Sequence, residues 1–302
     1  MSHRFFTLDV FTSRRLAGNP LAVVLDADDL DGGTMQAIAR EFNLSETVFV
    51  LAPEARESRA RLRIFTPTRE LPFAGHPTVG TAVLLARLDG MAGTRELLLE
   101  EGIGPVCCTV DAGGDGGQAR FDIPREPVQV GEIADAALVA AALGLTLDDL
   151  GEDGFLPGQW SAGNAFTFLP VRGLDAVARS RPDGAHWDLA FGPGDPVGVF
   201  VFCRDTVEAG HHFHARMFAP SHGVPEDPAT GSAAAAFAGL VARFGALPDG
   251  EHTIVIEQGY EMGRPSQIRL HLTMRTRQLT AAAIGGDAVV VTEGTIRAQS
   301  GA

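Results

Sequence analysis

Lysine is missing altogether: all 24 basic residues are arginine. Without a lysine amine the chain cannot form the Schiff base of pyridoxal or aldolase chemistry. It also lacks the phosphate-gripping lysine of a P-loop or a protein kinase. Cysteine is scarce, with three residues in the whole chain. Cys107 and Cys108 are adjacent and Cys203 stands alone, so neither a disulfide framework nor the C-x-x-C spacing of a zinc site is present, and the thiols read as small buried hydrophobes. Positive charge is in deficit. A net charge of −14, with no arginine-rich stripe interleaved with aromatics, opposes binding to DNA, RNA or anionic membrane surfaces. The longest apolar run, residues 233–242, is about half of a bilayer span. At the N-terminus, Met1-Ser2-His3-Arg4-Phe5-Phe6 meets Asp9 before a signal-peptide core could form. A cytoplasmic protein is expected.

What is present is enough apolar material, 45% of 302 residues, for about two domains with packed cores. Period-2 alternation in Ala60-Arg61-Leu62-Arg63-Ile64, in Phe213-His214-Ala215-Arg216-Met217 and over residues 268–274 predicts half-exposed strands of the antiparallel kind. Met35, Ile38, Ala39 and Phe42 recur at helical spacing and end where Asn43-Leu44-Ser45-Glu46 leads into the apolar residues 48–51, which puts Glu46 at a helix-to-strand junction. Residues 77–88 and 228–244 read as helices with almost no polar face, so both are expected to be buried, wrapped by sheet.

These two helices sit in a repeated context. Arg63-Ile64-Phe65-Thr66-Pro67 returns as Arg216-Met217-Phe218-Ala219-Pro220, and His76-Pro77-Thr78-Val79-Gly80-Thr81-Ala82 returns as Asp227-Pro228-Ala229-Thr230-Gly231-Ser232-Ala233. The repeat implies two similar halves, each a curved sheet around one helix, with residues 124–127 as the linker and residues 111–117 as a turn. In each half a proline stands where the first helical residue is expected. His76 and Asp227 are then candidate N-caps, and the amides around Val79, Gly80 and Thr81 and around Thr230, Gly231 and Ser232 become candidate anion donors. Glycines 80 and 231 would let a ligand come close.

Titratable groups gather in the same places: His76, Asp227 with neighbouring Glu226, and Glu46. A carboxylate in a partly apolar site suits proton removal from carbon and its return. Asp227 could equally be a simple cap, and a lone glutamate at a helix end is usually a solvated charge. His211-His212-Phe213-His214 has no third ligand at metal-binding spacing and reads as a polar strand face; no metal is expected. Gly192-Pro193-Gly194-Asp195-Pro196 reads as a turn, and no serine has the G-x-S-x-G context of a hydrolase.

Several motifs carry a resemblance: Asp9-Val10-Phe11-Thr12 through residues 17–24, Ala39-Arg40-Glu41-Phe42-Asn43-Leu44-Ser45-Glu46-Thr47, Leu71-Pro72-Phe73-Ala74-Gly75-His76-Pro77-Thr78, Glu226-Asp227-Pro228-Ala229-Thr230-Gly231-Ser232-Ala233, and Gln258-Gly259-Tyr260-Glu261-Met262-Gly263-Arg264-Pro265-Ser266. In this order they resemble the phenazine biosynthesis PhzF-like family. The resemblance implies an α+β, diaminopimelate epimerase-like fold of two similar domains, each a mostly antiparallel barrel-like sheet around a central helix, with the active site in the cleft between them. Residues 1–125, completed by a strand near 287–302, and residues 126–286 are the expected halves.

It further implies an isomerase without metal or organic cofactor, similar to trans-2,3-dihydro-3-hydroxyanthranilate isomerase, acting on a small anionic carboxylate, and a homodimer. By motif position Glu46 would shuttle the proton, His76 and Asp227 would orient substrate and assist transfer, and Ser45, Gly75, Gly231 and Ser232 would contact it. Related epimerases use a cysteine at each helix start, which this chain lacks, so two-thiol racemisation is disfavoured. A carboxylate-binding protein without turnover, or an epimerase on the same scaffold, are the alternative readings.

Overall fold

The computed structural model describes residues 2–133, 135–151, 154–191 and 196–298. Residues 192–195, read above as part of a turn, lie outside them. The elements run β1 (Ser2–Val10), β2 (Asn19–Val24), α1 (Gly32–Phe42), β3 (Glu46–Leu51), β4 (Ala60–Phe65), β5 (Glu70–Leu71), α2 (Gly75–Leu88), β6 (Arg95–Glu101), β7 (Gly104–Gly113), β8 (Gly116–Asp122) and β9 (Val128–Gly131). They continue with α3 (Ala136–Ala142), β10 (Gly158–Ser161), β11 (Ala165–Pro170), α4 (Gly173–Arg179), α5 (Gly184–Ala190), β12 (Gly198–Cys203), β13 (Phe213–Ala219), β14 (Val224–Asp227), α6 (Gly231–Phe244), β15 (Gly250–Gln258), β16 (Ser266–Arg275) and β17 (Gln278–Arg297). Two compact units result, Met1–Asp122 with Gly285–Ala302, and Ile123–Ile284. Among the described residues no helix is long and apolar enough to cross a membrane.

In the first unit the strand pairings close on themselves. β1 pairs β2, β2 runs parallel to β3, β3 pairs β4, β4 runs parallel to β6, and β6, β7 and β8 follow as hairpins. β17 then pairs both β8 and β1. A ring without free edges must bury something inside it, and that something is α2, which packs against β1, β2, β3, β6, β7 and β8. Every α2 residue from Gly75 to Ala86 is buried. This is why the helix has no polar face. Outside the ring, α1 lays Met35, Ile38 and Ala39 on a second core with Phe49 and Phe65.

The second unit repeats the plan. β9, β10 and β11 pair in sequence, β11 runs parallel to β12, β12 pairs β13, β13 runs parallel to β15, and β15 pairs β16. α6 packs on β9, β10, β11 and β16. Its alanines allow close approach, and Phe237 fills the centre, stacked on Phe168 at 5.6 Å and ringed by Phe200, Phe202 and Phe213. A second cluster joins α3, α4 and α5 to β11 and β12 through Val139, Val177, Trp187 and Val201.

The duplicated strands carry duplicated side-chain contacts. Arg63 on β4 forks onto Glu70 of β5 through two bonds of 2.7 Å and lies over Phe65, while Arg216 on β13 forks onto Glu226 of β14 at 2.8 and 2.9 Å and lies over Phe218. Registers agree as well: Ile64 faces Leu71, and Met217 faces Asp227. Counted between these facing pairs the return of the second unit is three residues longer than that of the first, and it contains a 3-residue 3₁₀ turn, Pro220–His222. One strand departs from expectation. β4 and β16 alternate as read from sequence, but β13 is buried along its whole length. Its polar residues are covered because Arg216 also donates to the carbonyls of Val177, Ala178 and Ser180 beside α4.

Candidate active site

α1 ends in Asn43, whose left-handed φ of 51° turns the chain back and whose N–H bonds Ala39 O. Asparagine is among the few side chains that tolerate that conformation. Leu44 and Ser45 follow, and Glu46 opens β3 opposite Leu21 of β2. Glu46 is mostly covered, with its side chain 17% exposed, and Oε2 stands 3.4 Å from His76 Nε2.

His76 is the second residue of α2 and is buried. Burial holds its imidazole down to about 3, so it is neutral throughout the physiological range. Its Nε2 has no hydrogen-bond partner among the described residues. The structure therefore brings together a carboxylate and a neutral imidazole, one at the head of a strand and one in the first turn of a helix.

The helix starts differ from expectation. The N-cap of α2 is Ala74, not His76, and that of α6 is Thr230, not Asp227. Pro77 is the third helical residue and Pro228 precedes the cap. Proline is tolerated anywhere in the first turn because those N–H groups have no intrahelical acceptor. The repeat consequently aligns Pro72 with Pro228, Gly75 with Gly231, and His76 with Ser232, each helix starting four residues after the strand residue that faces Ile64 or Met217.

Val79, Gly80 and Thr81 then lie past the first turn and are not anion donors; the first i−4 bonds are made by Thr78 and Ala234. The first-turn amides, which have no acceptor within their own helix, are those of Gly75 and His76 in α2 and of Gly231, Ser232 and Ala233 in α6. Gly80 is no ligand contact either. A Cβ there would come within 2.7 Å of Leu21 Cδ2 and Val10 Cγ2, so its smallness serves the packing of α2 against the strands.

Asp227 ends β14 and is buried. Thr230 Oγ1 donates to its Oδ2 at 2.6 Å. Gln258, at the end of β15, reaches both: Nε2 donates to Asp227 O at 2.7 Å and to Thr230 Oγ1 at 3.0 Å, and Oε1 accepts from Thr230 N at 3.1 Å. Glu226 is engaged by Arg216 and is a structural partner. Sequence reasoning missed Gln258, although a signal existed: Ile254, Ile256 and Gln258 share the inward face of an alternating strand, where an amide is out of place.

The matching strand end in the first unit holds Glu101, also missed. Burial raises its carboxyl to about 8. Thr78 Oγ1 lies 2.7 Å from both Ala74 O and Glu101 Oε1. One hydroxyl hydrogen cannot serve two acceptors, and a protonated Glu101 resolves the conflict by donating to Thr78 Oγ1. A groove of about 800 Å³ runs past Glu101, Arg61 and Arg63 and does not include Glu46 or His76. Its charges are largely paired internally, Arg61 with Glu54 and Arg63 with Glu70.

The histidine run is not a polar strand face. His214 is buried, with Nδ1 bonded to Glu257 at 2.8 Å and Nε2 to Glu261 at 2.9 Å, and His211 Nδ1 meets Glu257 at 2.7 Å. Burial opposes the His214 charge, but the two carboxylates outweigh it and raise the imidazole to about 9. His214 is thus an ion-paired anchor between β15 and the Tyr260–Gly263 turn. Among the described residues no group of three or more His, Cys, Asp or Glu is placed to hold a metal ion.

A family model described as phenazine biosynthesis-like protein, PhzC-PhzF, matches residues 8–294. The chain belongs to that family. Curated relatives of this PhzF-like chain include an uncharacterized isomerase of Mesorhizobium japonicum, 49% identical and covering 97% of this chain and 98% of that protein. The trans-2,3-dihydro-3-hydroxyanthranilate isomerase of Pseudomonas aeruginosa is 37% identical, with 97% and 98% covered. Among solved structures, a PhzF-family protein of Bacillus anthracis matches with a TM-score of 0.88 at 27% identity, covering 98% of this chain and 99% of that one. The family is enzymatic, its relatives are named isomerases, and the two-unit α+β barrel-like fold is the one the motifs implied.

Proposed function

We propose that this PhzF-like enzyme isomerises a small unsaturated or cyclic carboxylate, similar to the trans-2,3-dihydro-3-hydroxyanthranilate for which the Pseudomonas relative is named, by moving a proton between carbons, with Glu46 as the proton carrier. The observation that carries the reading is the Glu46–His76 pair at 3.4 Å. The Glu46 carboxylate takes a proton from a C–H made acidic by conjugation, the electron pair spreads over the π-system toward the substrate carboxylate, and the Glu46 acid returns the proton to another carbon. Atoms and electrons balance within the substrate, so no external electron acceptor is consumed.

His76, held neutral by burial, is assigned to orient the substrate and assist proton transfer, and carries no net charge that would trap the carbanion. First-turn amides at Gly75, Gly231 and Ser232 supply donors suited to a carboxylate, with the helix dipole behind them. Ser45, beside the proton carrier, is assigned a substrate contact, and Asp227 is assigned to substrate orientation and assistance of proton transfer in the same turnover. A homodimer, which rests on the resemblance, and a cytoplasmic location are part of the same reading.

The test is deuterium incorporation from D₂O into a panel of small carboxylates that includes dihydrohydroxyanthranilate, with wild type beside Glu46→Gln. Exchange or isomerisation is expected in the wild type and absent in the variant. Full turnover by Glu46→Gln excludes Glu46 as carrier, and compounds that bind without exchange favour a carboxylate-binding protein.

A further inference from the structure

Gln258 is fully buried, and its three contacts leave its orientation no freedom. A backbone N–H only donates and a carbonyl only accepts, so the amide oxygen must face Thr230 N at 3.1 Å and the amide nitrogen must face Asp227 O at 2.7 Å. The same nitrogen then lies 3.0 Å from Thr230 Oγ1 and donates to it. With a lone pair so occupied, the threonine hydrogen is directed to Asp227 Oδ2 at 2.6 Å. A proton on Asp227 Oδ2 itself would turn the hydroxyl into a double acceptor and leave its hydrogen stranded in a buried site, so Oδ2 is the accepting oxygen. Backbone approach fixes the arrangement from behind: Gly259 takes a φ of +78°, and a Cβ there would come within 2.6 Å of Pro228 O.

We propose that Gln258 is a positioning residue which, through the Thr230 hydroxyl, holds the Asp227 side chain in one rotamer with Oδ2 as an acceptor and so favours its ionised form. The direction of donation runs Gln258 to Thr230 to Asp227, and it is set by backbone groups that cannot change role. The catalytic consequence rests on the reading above, in which Asp227 takes part in turnover; the relay itself does not.

Two readouts separate the two claims. The first is carbon NMR titration of the Asp227 carboxyl in the full chain, assigned by difference against Asp227→Asn. The midpoint is expected to move upward in Thr230→Val, which removes the hydroxyl at constant shape, and to return in Thr230→Ser. Gln258→Leu is expected to move it the same way. Should that variant fail to fold, the Thr230 pair carries the test alone. An unmoved midpoint in a folded Thr230→Val protein overturns the proposal.

The second readout is the pH profile of kcat with dihydrohydroxyanthranilate. Its acid limb is expected to follow the NMR midpoint, with kcat changing more than KM. In Gln258→Glu the introduced carboxyl must stay protonated to donate to Asp227 O, so this variant is expected to gain a loss of kcat on the alkaline side that wild type lacks. A moved midpoint without turnover by any form, wild type included, upholds the relay and defeats the functional reading.

Discussion

The two central helices begin at equivalent points of their units, and each unit fills that point with different chemistry. In the first, the titratable group is inside the helix: His76, buried, neutral, its Nε2 3.4 Å from Glu46. In the second, the same helical position is Ser232, and the acid has moved back to the returning strand, where Asp227 is gripped by Thr230 and Gln258. The strand ends behind them differ in the same sense, a carboxyl raised to about 8 at Glu101 against a neutral amide at Gln258. A duplicated frame, down to the forked Arg–Glu pairs, has thus kept its backbone geometry while changing its side chains. On the proposed function, one unit supplies the proton carrier and the other holds its carboxylate in place.

On that division Glu46→Gln is expected to lower turnover by at least about a thousandfold, near the upper range for acid–base groups, whereas Asp227→Asn is expected to lower it by about ten- to a hundredfold. Steady-state kinetics on both variants decides, and equal losses break the comparison. The helices also differ at their centres. Phe237→Ala in α6 empties the aromatic cluster and is expected to cost about 3–5 kcal/mol in denaturant unfolding. Its counterpart by helix position is Thr81 in α2, whose buried hydroxyl has no hydrogen-bond partner among the described residues.

Exchanging the strand-end chemistry sharpens the contrast next. Glu101→Gln puts into the first unit the amide that the second already has. Because the folded-state value of Glu101 is raised from 4.5 to about 8, its stabilising contribution is complete below pH 4.5 and is lost as pH rises through about 8. The variant is therefore expected to gain on wild type across that window and to level off above it, by an amount on the order of 5 kcal/mol. Thermal melts from pH 4 to 9 measure this; parallel curves would mean that Glu101 does not titrate there. Smallest is Thr81→Val, which removes the unpartnered hydroxyl at nearly constant volume and should stabilise by about 1 kcal/mol.

Much of this could be read from the chain. Apolar composition without a polar face marked both central helices as enclosed, and Arg-x-Phe in each half marked the duplicated strands. Glu46 was legible only through motif resemblance, since a glutamate at a helix-to-strand junction has no distinguishing pattern. The helix starts were misplaced for a physical reason. Proline costs nothing at any first-turn position, so Pro77 and Pro228 looked equivalent although the register sets Pro228 against Pro72. β13 was misread because its alternating polar residues, His214 and Arg216, satisfy their charges against Glu257, Glu261 and Glu226 beneath other elements. Such partners lie more than 40 residues away or across a return loop, beyond any local periodicity.

β17 makes the two units unequal in time as well. Residues 285–297 of that strand complete the ring around α2, pairing Ser2 with Arg297, while the second unit is one continuous stretch, Ile123–Ile284. As the chain leaves a ribosome, the first unit emerges with its ring open and α2 uncovered, and nothing it can pair with at that gap exists until the last strand has been made. The second unit meets no such wait. Folding is therefore expected to run against the order of synthesis, with the part made first completed last, and the nascent first unit, with its unpaired edges, is where a chaperone would find its hold.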